Sequence, residues 1–562
     1  MRPLFLLSFA LLSLPSSALA AAGLPGTGCV FATIQGAIDA ASPGDTVFVT
    51  DAVHTENLHI TKDLTLVGGA DPTCSGWGGS AVSTVEGGGG TLVFVDGVNN
   101  LTMQHFKITS GHDNNHGGNM SVYRSGDVLL EDVTLTEGSA DLFCGGNLYV
   151  KGGDVELLDS LVSDGEAPQG GGICVTGGTV TLTNSEVIGN NADDGGGVYL
   201  AGTYTPVELI ADELSQISSN TALVDGGGIY ATGDTAMDGQ GASMRLNEAG
   251  GHGGGVYYDP LDAGQQTQRL ASFDIDDNTA GGDGGGVYLT TCAGCSQDPI
   301  VIFDVDVMGN VADNGAGMAV ALDPKNSVQI TQSYFGANVA DDEGGGLWLA
   351  SGTADVRSVG PYFDRNMSAT MFEKNSARVR GGGVFSWGTL VLDRVVFVSN
   401  DTHNPNQFGP HEIGNYGTLD AHNVLVLGNG GMSVRTFDGG FSSYRHLTLL
   451  GGTNSATIVR FDPGSDGEIV ASIVDGGRVR EFISGSLDAP CTLFGVPPTG
   501  TYNAPDSCHG WTCDPNFITT VFNDFTPTSP DAVDACAAHS SSTIDLDDQA
   551  RDADPDMGAF EL

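Results

Sequence analysis

The sequence predicts an all-β fold: a single-stranded right-handed parallel β-helix, with a short N-terminal capping helix and a loop-rich, disulfide-containing C-terminal segment. Three observations predict it. Glycine supplies 85 of the 562 residues and gathers in clusters such as GGGICV, GGGVYL and GGGLWL, whose third glycine falls at 172, 197, 228, 255, 286, 317, 346 and 383. An N-x-A triplet stands before most clusters, from Asn190 with Ala192 to Asn375 with Ala377. Between clusters the chain alternates apolar and polar residues. In GGTVTLTNSEVIGNN, Val180, Leu182 and Val187 read as short strands with a bend near Asn184 and Ser185.

The intervals between clusters run from 25 to 37 residues. Helical solenoids absorb such variation poorly, whereas a coil of short strands joined by adjustable loops takes it up. One repeat supplies about three brief strands and returns to its start, so each strand pairs with its equivalents about 4.8 Å above and below. Roughly sixteen turns between His59 and Asp475 would make a rod on the order of 75 Å long. Glycine inside regular structure costs roughly 0.5 to 1 kcal/mol relative to alanine, so its recurrence marks a corner that needs positive φ or has no room for a Cβ. The asparagine before the corner tolerates the left-handed region, and stacked amides can bond along the rod as a ladder. A phosphate-binding loop would need one such turn before a helix, with Lys or Ser/Thr at fixed positions, rather than eight copies before strands.

Taken in chain order, residues 1–20 carry Arg2, an apolar core from Leu4 to Leu14 and the small-residue site Ala18-Leu19-Ala20, the pattern of a secretory signal cleaved after Ala20. No cysteine follows that site, which disfavours a lipoprotein, and no later segment is long and apolar enough for a membrane helix. Residues 21–57 form an N-terminal cap, in which Ile34, Ala37, Ile38 and Ala41 make the buried stripe of a short helix with Thr33 as N-cap. Residues 58–480 form the β-helix, and 481–562 a C-terminal cap or tail. Ten cysteines fall in three groups: Cys29 and Cys74; Cys144, Cys174, Cys292 and Cys295; and Cys491, Cys508, Cys513 and Cys536. An even count in an exported chain reads as disulfides. The Cys292-x-x-Cys295 pair reads as a structural loop disulfide, since no second such pair or close histidine accompanies it.

These residues resemble a known family. FEKN (372–375) with GGGVF, and FGAN (335–338) with GGGLW, look like the FxxN and GGA[ILV] repeats of polymorphic outer-membrane proteins and related secreted bacterial β-helix proteins. TIQGAIDAASPGDTVFV followed by ENLHITKDLTLVGG is similar to the N-terminal cap of that broader, pectin-lyase-like class, and DADPDMGAFEL resembles an ending found in many of its secreted members. The resemblance implies a right-handed β-helix at the cell surface or outside the cell. Polymorphic membrane proteins continue into an autotransporter barrel, whereas about eighty residues follow the last turn here, so barrel anchoring is not implied.

For function, 69 acidic against 20 basic residues give a net charge of -49, which repels phosphate backbones and excludes nucleic acid as the expected partner. Alternation should turn the aromatic after each cluster outward, so Tyr149, Tyr199, Tyr230, Tyr257, Tyr288, Trp348 and Phe385 would line one face as a site for a glycan or surface protein. The competing reading is that the rings stack on one another or point inward and merely stiffen the rod. Asp545, Asp547, Asp552, Asp554 and Asp556 form an acidic stretch that could hold calcium, against the plainer reading of a solvated tail. No other cofactor is expected. His252 in GHG and the pair Asp276-Asp277 superficially match polygalacturonase motifs, but both fall on repeat positions and their N-T-D and R-x-K partners are missing. The expectation is therefore a non-catalytic, monomeric, exported or surface-associated adhesive rod. The alternatives are a carbohydrate-active lyase or hydrolase on the same fold and a calcium-stiffened matrix protein.

Overall fold

In the computed structural model, residues 21–475 are described apart from 80, 88, 261–267, 293–298, 360–368, 404–409, 429–430, 452–456 and 471, followed by five short strands lying between Arg478 and His509. The signal-like residues 1–20, the aspartates from Asp545 to Asp556, and Cys491, Cys513 and Cys536 lie outside them. The chain is a parallel β-solenoid of about 14 turns. These run from the strand Val93–Asp96 to the strand Ile473–Asp475. The sequence suggested roughly sixteen. The difference lies at the N-terminal end, where the passage from Leu58 to Glu86 holds an insertion that interrupts the first turn.

Each turn has three strand positions. In the first, Val198, Ile229, Val256, Val287, Met318 and Leu347 stand in register on successive turns. In the third, Val187, Ile217, Met244, Ile275, Val307, Phe335 and Phe372 do the same. All are at most 1% exposed. Because the side-chain period is two, one residue of each pair enters the core and the next leaves it. Phe335, Phe372 and Phe397 stack inside at 4.8 and 5.1 Å. A fourth set of very short strands, carrying the N-x-A triplets, forms an eleven-stranded sheet at the corner. Its alanines pack inward, and Ala280, Ala312, Ala340 and Ala377 form a small apolar column of their own.

The glycine clusters divide the work of that corner. Gly195 has φ +65, and a Cβ on it would lie 2.5 Å from Val198 O. A Cβ on Gly196 would lie 2.5 Å from Thr221 O of the next turn, and one on Gly197 would meet the Asn220 amide at 2.8 Å. Here the asparagines form the expected ladder. The side-chain amide of Asn119 donates to Asn147 at 2.6 Å, and so on through Asn190, Asn220, Asn247, Asn278, Asn310, Asn338, Asn375 and Asn400, at 2.8 to 3.2 Å. From Asn190 to Asn375 each oxygen receives, besides the amide before it, a backbone N–H, and each amide also donates to a third-strand carbonyl on the preceding turn, such as Val187 O for Asn220. One expectation is corrected. The ladder asparagines do not adopt the left-handed region; from Asn190 to Asn400 the residue before each one does, as in Ser219, Leu246, Asp277 and Lys374, with φ near +54. That bend swings the asparagine side chain into the rod, where its amide must point. Asn184, in the bend read from the sequence, is itself left-handed with φ +46.

The helix Ile34–Ala40 closes the first turn. Thr33 Oγ1 accepts from Gly36 N at 3.0 Å, and the Glu56 carboxylate accepts from Ile34 N and Gln35 N at 2.9 and 3.0 Å, so three otherwise unpaired helical donors are satisfied. Ile34, Ala37, Ile38 and Ala41 are buried, as the sequence implied. Disulfides join Cys29 to Cys74 and Cys144 to Cys174, the latter linking neighbouring turns, and Cys292 is also disulfide-bonded.

The ladder ends on a carboxyl group. Asn400 donates at 2.5 Å to Glu412 Oε2, and Glu412 is fully buried with its Oε1 lacking a hydrogen-bond partner among the described residues. Burial pushes its pKa up to about 8. The unfolded chain would release this proton near 4.5, so the stabilising contribution is complete below that pH and is lost as pH rises toward about 8. In Glu412→Gln, denaturant-derived stability should fall less steeply than wild type between these two pH values. At Asn247, alanine substitution should cost about 1 to 3 kcal/mol in the same measurement, because it leaves buried donors and acceptors unpaired.

Candidate functional site

The outward positions of the first strand form the aromatic column. Tyr199, Tyr230, Tyr257 and Tyr288 occupy consecutive turns in exact register, followed by Ala319, Trp348 and Phe385. The four tyrosines stack ring on ring at 5.1, 4.6 and 5.3 Å, and His252 adds its imidazole to Tyr288 at 4.5 Å. Both faces of Tyr230 and Tyr257 are therefore covered by neighbouring rings. What they offer solvent is an edge and a hydroxyl, so these rings are not open platforms. Burial raises the hydroxyl pKa of all four, for Tyr199 to about 12, with Asp194 adding to the effect.

Two of the seven column residues do not face solvent. Tyr149 is 3% exposed because it lies against the Cys144–Cys174 disulfide and stacks on His116 at 4.2 Å. Phe385 is fully buried beneath Trp387, Tyr416, Phe437 and the Arg380 guanidinium, the last 5.7 Å from its ring centre. Strand alternation turned both outward from the core, and neighbouring side chains then covered them.

Beside the column runs a polar one, built from the residue before each cluster's first glycine. Asp194, Asp225, His252, Asp283, Asn314, Glu343 and Arg380 are joined turn to turn: His252 N donates to Asp225 Oδ1 at 2.7 Å, Asp283 N to His252 Nδ1 at 3.0 Å, and Asn314 Nδ2 to Asp283 Oδ1 at 2.9 Å. His252 thus belongs to the repeat, as read from the sequence. Asp277 takes the left-handed position before Asn278.

The two columns converge at Glu343. Trp348 Nε1 and Trp387 Nε1 both donate to its Oε2, at 3.3 and 3.2 Å, while Arg380 pairs with Oε1 at 3.2 Å. Burial raises the Glu343 pKa, and these three partners act against that rise. Trp387 lies flat on Tyr416, with ring centres 4.2 Å apart and planes 3° from parallel, yet remains 46% exposed. Tyr416 stacks in turn on Phe437 at 4.4 Å, and Arg435 covers Phe437 at 4.1 Å. Sequence reasoning singled out Trp348 and missed Trp387 and Tyr416, because both follow the first strand instead of occupying its repeat position. The only signal was a Trp-Gly pair, Trp387-Gly388, where the repeat needs no tryptophan.

A third cluster sits on the outer side of the third strand. Asp274 and Asp306 stand in register on neighbouring turns with Asp276 and Asp304 close by. Burial, with repulsion from Asp274, pushes Asp276 and Asp306 up to about 6. Asp276 Oδ1 has no hydrogen-bond partner among the described residues. Among those residues no group of His, Cys, Asp or Glu is arranged to hold a metal ion, and no helix is long and apolar enough to cross a membrane. The sequence matches no known protein-family model and no curated protein.

Removing one ring from the stack should be felt by both neighbours. Tyr230→Ala should lower stability by about 2 kcal/mol, from two lost ring contacts and lost burial, and spectrophotometric titration should show the remaining ladder tyrosines ionising at lower pH.

Proposed function

We propose that this chain is an exported or cell-surface binding rod without catalytic activity, which contacts a glycan or surface protein through its aromatic flank, centred on Trp387. The observation that carries the reading is the Trp387 indole. It is fixed by a stacked ring and a hydrogen bond before any ligand arrives, and nearly half of it is open. A flat, immobile aromatic surface suits the apolar face of a pyranose ring and loses little side-chain freedom on binding. The secretory pattern of residues 1–20, the disulfides and the resemblance to polymorphic outer-membrane repeats support an extracytoplasmic setting. Right-handed winding, which parallel strand crossovers overwhelmingly adopt, fits the same class. The net charge of -49 favours neutral or basic ligands over acidic polysaccharides.

A carbohydrate-active enzyme is the second reading, favoured by the Asp274, Asp276 and Asp306 cluster. Burial raises the pKa of all three carboxyl groups, and a carboxyl with raised pKa is what the general acid of glycoside hydrolysis requires.

Purified protein applied to a glycan array, with reducing-end detection on every glycan bound, separates the two. Binding without new reducing ends, lost by tenfold or so in a folded Trp387→Ala variant, is the expected result. Undiminished binding by that variant would remove the aromatic flank from consideration, and reducing ends that vanish in Asp306→Asn would establish the enzyme.

A further inference from the structure

The corner sheet carries a groove unrelated to the aromatic flank. The short strands Ser139–Ala140, Glu166–Gln169, Asn191–Asp194 and Thr221–Ala222 stack in parallel there, with their alanines inward and Ser139, Glu166, Asn191 and Thr221 outward. The residue after each inward alanine forms a rim: Asp141, Pro168, Asp193 and Leu223. Together these line a cavity of about 370 Å³, within the range of ligand pockets, roughly 300 to 1,000 Å³.

Its two ends are apolar. Leu142, next to Asp141, is 64% exposed at one end, and Leu223 and Val224 are 66% and 49% exposed at the other. The repeat does not require Leu223: the equivalent positions on the next three turns are Gly250, Gly281 and Asp313. Large aliphatic side chains held in water where glycine suffices mark a contact surface. Between these ends lie three exposed carboxylates, Asp141, Glu166 and Asp193, with His112 3.5 Å from Asp141. No Lys or Arg lines the cavity, and the Glu166 and Asp193 carboxylates meet no partner among the described residues.

We propose that this groove seats an extended cationic segment of a partner protein, its Lys or Arg side chains on Asp141, Glu166 and Asp193 and its flanking aliphatic side chains on Leu142, Leu223 and Val224. The carboxylates fix the sign of the partner's charge. The aliphatic ends favour a peptide over a sugar, since they offer branched alkyl contacts instead of flat rings. Three turns, at about 4.8 Å each, separate the two apolar ends, a span of about four extended residues. Acidic strength alone would attract any polycation, so recognition lies in the pairing of charge with apolar ends.

Calorimetry on the full chain at physiological salt tests it with two capped hexapeptides of equal charge, one alternating Leu and Lys, the other Gly and Lys. The Leu-Lys peptide should bind about tenfold more tightly, and Leu223→Ser should erase most of that preference. The triple variant Asp141→Asn, Glu166→Gln, Asp193→Asn should weaken Leu-Lys binding about tenfold, whereas Asp127→Asn, Asp154→Asn, Glu156→Gln, on another exposed face, should change it by less than about twofold. Equal loss in the two triples, equal affinity for the two peptides, or no binding of either would overturn the proposal. Each variant's melting temperature confirms that it is folded, and the glycan result at Trp387 bears on none of these outcomes.

Discussion

A single column of buried amides sets the geometry on which the rest of this rod depends. Each ladder asparagine from Asn190 to Asn375 is satisfied by its own neighbours along the axis, with two donors and one oxygen fully engaged. A one-residue slip in any turn would pull an amide out of line and leave several buried polar groups unpaired, at about 1 to 3 kcal/mol each. Such a slip would also move every inward residue of that turn to the outside. The ladder therefore selects one register, and the glycine corner permits the close approach between turns that the ladder needs.

Once register is fixed, every outward position becomes a column with a turn-by-turn repeat. Chemistry on this protein is consequently linear. Aromatic residues stack into a ladder, polar slot residues hydrogen-bond into a second one, and aspartates on adjacent turns crowd until burial and mutual repulsion raise their pKa. A column of identical residues tends to satisfy itself, because each member meets its own kind above and below. Sites appear where the column is broken. Trp387 leaves the strand and stays half open, and Leu223 stands where the next three turns carry Gly250, Gly281 and Asp313.

Glu412 shows the opposite end of that logic. It replaces the cluster glycine, puts a carboxyl where an amide would continue the ladder, and remains buried. The loss of a perfect repeat there coincides with the aromatic packing of Phe385, Tyr416 and Phe437, so ring stacking takes over cohesion between turns as amide bonding ends.

By itself the sequence determined the periodic features: strands, glycine corners, the amide ladder and the helix over Ile34, Ala37 and Ile38. Each rests on spacing along the chain and on the steric limits of one residue type, which act locally. Tertiary structure decided exposure and partnership. Tyr149 and Phe385 follow the outward pattern and are nonetheless covered, by a disulfide and by rings from other turns. The tyrosines that the sequence placed on a face use those faces on each other. The Glu343 cluster and the Asp274 and Asp306 pair join residues from different turns, and their distances depend on how the loops of unequal length bring those turns together. A one-dimensional pattern carries no information on which neighbour lies over a side chain, and burial, pKa and access all follow from that neighbour.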